Sequence, residues 1–254
     1  MSDIQIESQL ISMLNADKAA DRLAALEQIQ ADWNRNGTSP QRNPLDVNNH
    51  IHSIYSFSPY SPSKAVYMAC EAGLSTAGII DHDSVSGSEE FSAAGATVKL
   101  PVTIGWEMRV SMLDTPFAAK RLNNPDQIGN LYVTVHALPH SQLQTVKNFL
   151  SPIGEARALR NRAMTANIND ICAPLDISLD YDKDVLPISC VGEGGSVTER
   201  HLLFALAHKL MTAYGKGRDL LTVLREKLLL SIPEKTALLL IDEENPYYDY
   251  DLLG

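Results

Sequence analysis

Four short runs in the first half of the chain, residues 45–47, 77–80, 100–104 and 131–135, are apolar and rich in β-branched side chains. Such runs read as strands of a parallel sheet buried on both faces. Between the first two, Ser61-Pro62-Ser63 opens a segment at 64–72 whose spacing suits a helix, and Gly73 stands where a helix C′ glycine is expected. The spacing therefore predicts a βαβ unit. Gly87 then precedes Ser88-Glu89-Glu90-Phe91, the start of a next helix. Upstream, Leu10, Leu14, Leu23, Leu26 and Ile29 recur at helical spacing, and Asn15-Ala16-Asp17 marks a break between two helices. Residues 37–44 form a Gly/Pro/Ser linker. From Ser141 the pattern is helical, over 142–150, 153–171, 198–214 and 220–229, interrupted by the permissive backbone of Gly192-Glu193-Gly194-Gly195-Ser196.

Each strand-like run is followed by residues able to bind a metal: His50 and His52, then Asp81 and His82, then Glu107, then His136. In a parallel barrel the C-terminal rim of the strands is the functional face, so these side chains would converge there. Alternation along an extended segment aims both imidazoles of His50-Ile51-His52 at one centre.

His50-Ile51-His52, Tyr55-Ser56, Ser61-Pro62, Asp81-His82-Asp83 with Gly87, Glu107 and His136 together resemble the first four motifs of the PHP superfamily, the polymerase and histidinol phosphatase domain. The resemblance covers roughly residues 45–140 and combines order, spacing and strand context. It implies a distorted (β/α)7 barrel that carries up to three divalent metals and hydrolyses phosphoesters. It also implies His50, His52, His82, Glu107 and His136 as metal ligands, with Asp81, His82 and Glu107 as the catalytic group. Two departures stand out. Phe57 occupies the turn where many members carry an acidic ligand, and nothing after His208 supplies the family's late His/Cys and Asp-x-His ligands. The expected organisation is a helical extension and linker at 1–43, the first half of the barrel at 44–140, a helical insertion at 141–232, and a return toward the barrel at 233–254. With about four convincing strands before 140, the barrel is expected to be incomplete, its remainder lying beyond Gly254.

Composition narrows the partners. A net charge of -10 and a pI near 5.1 argue against a large nucleic-acid footprint and favour a small phosphorylated substrate drawn in by metal. No run is long and apolar enough to span a membrane, and the N-terminus lacks signal-peptide regions, so a cytoplasmic protein is expected. Cys70, Cys172 and Cys190 form neither a disulfide framework nor a zinc knuckle.

Several residues admit a plainer role. Asp81 reads as an orienter of imidazole rather than a direct ligand, and Asp83 as a cap or a ligand. Glu107 could pair with Arg109, and His136 could be a satisfied core histidine. His140 fits a surface loop and His208 a helix interior. Arg200 and His201 open a helix whose free N–H groups attract phosphate, which makes them candidate substrate-binding residues; a cation with Glu199 as partner is the alternative. Arg157, Arg160 and Arg162 read as a solvated helix face or as phosphate recognition.

The function expected is hydrolysis of a phosphate ester by a metal-activated water. A histidine-rich ligand set suits zinc, manganese or iron better than magnesium. The alternatives are a non-catalytic PHP-like metal-binding module and a nuclease acting on short oligonucleotides.

Overall fold

The computed structural model describes residues 3–124, 127–245 and 248–249. The chain divides into two compact units, Met1–Ile153 with Gly192–Ser196, and Gly154–Val191 with Val197–Gly254.

The first unit begins with helices α1 (Asp3–Met13) and α2 (Ala19–Asn36), separated at the predicted break. Strand β1 (Asn43–Ile51), helix α3 (Pro62–Glu71), β2 (Leu74–His82), α4 (Ser88–Thr97) and β3 (Val102–Ser111) follow as successive βα units, and β4 (Asn130–Val135) completes a four-stranded sheet of order β1-β2-β3-β4. Helix α3 starts where Ser61 accepts the Lys64 N–H at 3.0 Å and Pro62 supplies a preset first turn. It ends at Gly73, whose φ of 72° is the left-handed conformation glycine adopts without strain.

Alternation along the strands sorts the two faces of the sheet. Ala77 and Ile79 of β2 and Ile104 and Trp106 of β3 pack with Ala65, Val66, Phe91 and Ala94 of the covering helices, and Leu14, Leu26, Ile29 and Trp33 extend this core. The opposite face carries Gly78, Ile80 and His82 on β2 and Gly105 and Glu107 on β3. Two glycines allow neighbouring backbones unusually close: a Cβ on Gly78 would lie 2.8 Å from Asn49 Cα, and one on Gly105 would lie 1.8 Å from the Val135 carbonyl oxygen. The result is a curled half-barrel. Helix α2 is fastened to it by a buried ion pair between Arg22 and Glu90, and Glu90 Oε1 also accepts the Ser63 N–H and hydroxyl.

The direction of β4 departs from the sequence reading. Residues 131–135 were expected as a fourth parallel strand, but β4 runs antiparallel to β3. Parallel neighbours need a crossover, usually helical. Residues 112–124 and 127–129 contain no helix, and the Met112 N–H donates to the Gly129 carbonyl at 2.7 Å, closing a long hairpin. Pairing with β4 also carries β3 to Ser111, well past the apolar run that announces it.

Helix α5 (Leu143–Cys172) is continuous through Pro152, where two separate helices were expected. Its early turns are anchored by buried Leu143, Val146 and Leu150, and this packing outweighs the lost N–H. The unit boundary falls within α5 at Ile153. The second unit adds α6 (Glu199–Tyr214), α7 (Gly217–Glu226) and α8 (Glu234–Ile241), packed through Leu210, Leu220, Leu224 and Leu240. Tyr248 closes this core, accepting the Gly217 N–H at 2.9 Å and donating to the Leu240 carbonyl at 3.0 Å. No helix among the described residues is long and apolar enough to cross a membrane.

Candidate metal centre

Three adjacent strands deliver the site. His50 lies near the end of β1 and His52 just past it, His82 is the last residue of β2, and Glu107 stands opposite His82 in the β2–β3 ladder. Because Ile79 and Trp106 face the helical core, the alternate positions His82 and Glu107 face the open side of the sheet.

These side chains converge on one carboxylate oxygen. Glu107 Oε2 lies 3.2 Å from His50 Nε2, 3.6 Å from His52 Nε2 and 3.4 Å from His82 Nδ1. The His52 and His82 rings stack with centroids 4.5 Å apart, and His50 meets His52 edge-on at 5.0 Å. A tetrahedral ion with bonds of about 2.1 Å has ligand–ligand edges of about 3.4 Å, which the three distances bracket. Ligand atoms of His50, His52 and Glu107 all lie within 4.8 Å of one another; among the described residues this is the one group of three or more with that property. The donor set therefore fits a borderline divalent cation, with His82 beside it.

Neighbouring loops hold the ligands in place. Asp81, on the opposite face of β2 from His82, is 1% exposed and lies on the helix-covered side. Its Oδ1 accepts the Ser53 N–H at 2.6 Å and the Ser56 hydroxyl at 2.7 Å, and its Oδ2 accepts the Ser53 hydroxyl at 2.6 Å. Burial pushes the Asp81 carboxyl up, against the downward pull of these three hydrogen bonds. Asp83 continues the ladder by donating its N–H to the Glu107 carbonyl at 2.8 Å, from a left-handed backbone with φ 50°. The Gly192–Ser196 segment docks on the same loops. The Gly194 carbonyl accepts the Ser84 hydroxyl at 2.7 Å and the Ser86 hydroxyl at 3.1 Å, and the Ser196 N–H donates to Tyr55 O at 2.7 Å. A Cβ on Gly194 would meet Ser86 Oγ at 2.4 Å, so the segment needs glycine there.

Other sequence candidates lie elsewhere. His136 follows β4, and the antiparallel direction sets it back from the ligand cluster, since Thr134 is already level with Glu107. It lines a cavity of about 500 Å³ with Asn49, Thr76, Val102 and Thr103. Asp81 meets serines and no imidazole. Phe57 is half-buried in the loop after His52 and offers no lone pair to a cation. In the second unit, His201 is 2% exposed and its Nδ1 accepts the Thr198 N–H at 2.9 Å. Burial, with help from Arg157, pushes its imidazole down to about 4 despite that contact. It is thus a neutral helix-start residue, while Arg200 is exposed on the first turn of α6. Glu199 pairs with Arg160 at 2.6 Å and Arg157 at 3.8 Å, and Arg162 pairs with Asp182 at 2.6 Å. That basic cluster is engaged in ion pairs within its own unit. His208 packs on Phe204 at 4.5 Å, and His140 Nε2 lies 2.9 Å from Ser92 Oγ.

Sequence reasoning gave no role to Ser53, Ser84, Ser86 or Tyr132, and considered Arg109 only as a partner for Glu107. Serines beside strand ends are too common to signal by themselves. Arg109, two residues from Glu107, could have been placed on the same face by alternation.

No protein-family model matches the chain, and no curated protein matches it. Among solved structures it is similar to a proposed metal-dependent phosphoesterase from Bifidobacterium adolescentis, with 19% identity and a TM-score of 0.51 over 77% of this chain and 63% of that one. It is also similar to an amidohydrolase from Chromobacterium violaceum, with 21% identity and a TM-score of 0.49 over 71% of this chain and 54% of that one. The chain thus spans less than two thirds of the length of either structure. The motif resemblance to the PHP superfamily is accompanied by likeness of fold to the first of these proteins.

Proposed function

We propose that this chain is a metal-dependent hydrolase acting on phosphate esters, built on part of a PHP-type distorted (β/α)7 barrel. The observation that carries the reading is the placement of three imidazole nitrogens, from the C-terminal ends of the parallel strands β1 and β2, within 3.2–3.6 Å of Glu107 Oε2 on the adjoining strand β3. The fold shared with a proposed metal-dependent phosphoesterase supports it.

His50, His52 and Glu107 would hold the ion and His82 would complete its surroundings. A bound divalent cation supplies Lewis acidity and acidifies a water molecule to near neutrality. The nitrogen-rich donor set favours zinc, manganese or iron over magnesium. Glu107, the carboxylate shared among the histidines, orients their donor atoms and offsets positive charge at the centre. Asp81 fixes the loop after His52 through Ser53 and Ser56. Small phosphomonoesters, nucleotides and short oligonucleotide ends are the substrates of this reading.

A second reading, a metal-binding module without turnover, is favoured by Phe57 at the position where the resemblance implies an acidic ligand. Hydrolysis screens of phosphomonoesters, nucleotides and short oligonucleotides with added manganese or zinc, alongside amide substrates, separate the two. Phosphate release that chelation abolishes supports the hydrolase. Metal binding without turnover of any phosphoester supports the module, and turnover of amides alone overturns the substrate class.

A further inference from the structure

The outer half of β3 overhangs the metal centre. Strand β2 stops at His82, opposite Glu107, whereas β3 continues to Ser111 paired with β4. Arg109 is two residues beyond Glu107 on the same face, about 7 Å further along the strand. Its cross-strand partner is Tyr132, and the Arg109 Cζ lies 5.5 Å from that ring's centroid. The Tyr132 ring is in turn 6.0 Å from the His82 imidazole. An aromatic contact therefore braces a guanidinium at the lip of the histidine cluster.

Charge gives this placement a purpose. The chain carries a net charge of -10, so its overall field does not draw in a small anion and capture has to be local. Among the four side chains of the cluster, His50, His52, His82 and Glu107, the last is the one carboxylate, and a bound divalent ion would make their balance positive. A phosphomonoester carries about 1.5 to 2 negative charges at neutral pH and cancels that excess. Guanidinium is permanently charged and presents paired N–H donors that match two phosphoryl oxygens. An uncharged amide substrate has no such oxygens for it to hold.

We infer that Arg109, braced by Tyr132, binds the phosphoryl oxygens of the substrate beside the metal centre and selects phosphomonoesters over uncharged esters and amides. This rests on the phosphoesterase reading above and assigns the substrate anion a specific partner.

The test is calorimetric titration of metal-loaded protein with inorganic phosphate, together with kinetics on a phosphomonoester. Arg109→Gln should retain its metal while phosphate Kd and KM rise roughly 10- to 100-fold. Arg109→Lys, which keeps the charge and loses the fork, should recover part of the affinity, and Tyr132→Leu should weaken phosphate binding less than Arg109→Gln. A measurement on the unaltered protein guards against a variant that does not fold: phenylglyoxal modification of Arg109, read by mass spectrometry, should slow when phosphate is present. Unchanged phosphate Kd and KM in a metal-replete Arg109→Gln protein, with active wild type, would overturn the role of Arg109 and leave the hydrolase reading standing. A metal-loaded wild type that binds no phosphate and cleaves no phosphoester overturns both.

Discussion

Ser53 gives both of its donors to Asp81, the backbone N–H to Oδ1 and the hydroxyl to Oδ2, each at 2.6 Å. With the Ser56 hydroxyl at 2.7 Å, the carboxylate is occupied by the loop that follows His52. Proton transfer to substrate is a poor use of a group so placed. Holding that loop is a better one.

Asp81→Asn therefore tests structure against chemistry. The asparagine carbonyl can keep the Ser53 N–H, and the Ser53 hydroxyl can turn to accept from the new amide. We expect metal content and turnover to stay within a few-fold of wild type. Asp81→Leu removes every acceptor and should weaken metal binding roughly 10- to 100-fold, as loss of an outer-shell support does. Loss of turnover in Asp81→Asn at full metal content would instead make Asp81 a catalytic acid or base.

Metal content should follow Glu107 and the β1 histidines. Glu107→Gln keeps the shape and removes the charge shared by three imidazoles. Elemental analysis after dialysis should show most metal lost from Glu107→Gln and from the His50→Ala/His52→Ala double variant, whereas His136→Ala keeps it. Wild-type metal content in the double variant would place the ion elsewhere.

Stability should decline in mild acid through His201. Burial pushes its imidazole down to about 4 when folded, from the ordinary value of 6.5. Between these values the unfolded chain binds the extra proton, so the group's stabilising contribution is complete above pH 6.5 and is lost as pH falls toward 4. The loss is on the order of 3 kcal/mol over that window. His201→Asn retains an acceptor for the Thr198 N–H without a titrating ring. Urea unfolding at several pH values should show a flatter profile for this variant, and an identical slope would assign the acid sensitivity to other groups.

Gly105→Ala should damage the sheet. The added Cβ falls 1.8 Å from the Val135 carbonyl oxygen, which is backbone and has little freedom to yield. Overpacking typically costs about 1–3 kcal/mol, and a clash with backbone falls toward the upper end. Thermal unfolding should register the loss directly, and an unchanged midpoint would mean that β3 and β4 separate more easily than their pairing implies.

The site was more legible in the sequence than the strand directions around it. His50, His52 and His82 lie at or near strand ends and Glu107 follows the apolar run of β3, and alternation relative to Ile79 and Trp106 indicates the face of His82 and Glu107. The direction of β4 was not readable, because a β-branched run looks alike whichever way it is paired. Direction is decided by the connection, and 112–129 lacks the periodicity that would announce a hairpin. Pro152 misled for a related reason: local propensity argues for a break, while the packing of Leu143, Val146 and Leu150 into the core holds the helix through contacts distant in sequence. Helix α8 was missed, since Leu238-Leu239-Leu240-Ile241 is too short an apolar run to separate helix from strand.

Pairing His82 directly with Glu107 makes the backbone ladder a ruler for the metal centre. Adjacent strands keep a separation of about 4.8 Å, and two ligands on facing rungs inherit that spacing without needing a loop to set it. Amide protons of 79–82 and 104–107 should consequently be among the slowest to exchange in this unit, because the centre can lose its dimensions only when the ladder itself opens. A site gauged in this way is prepared before any ion arrives, and it would tolerate change in its surrounding loops far better than a slip of one residue between β2 and β3, which would turn Glu107 toward the helices.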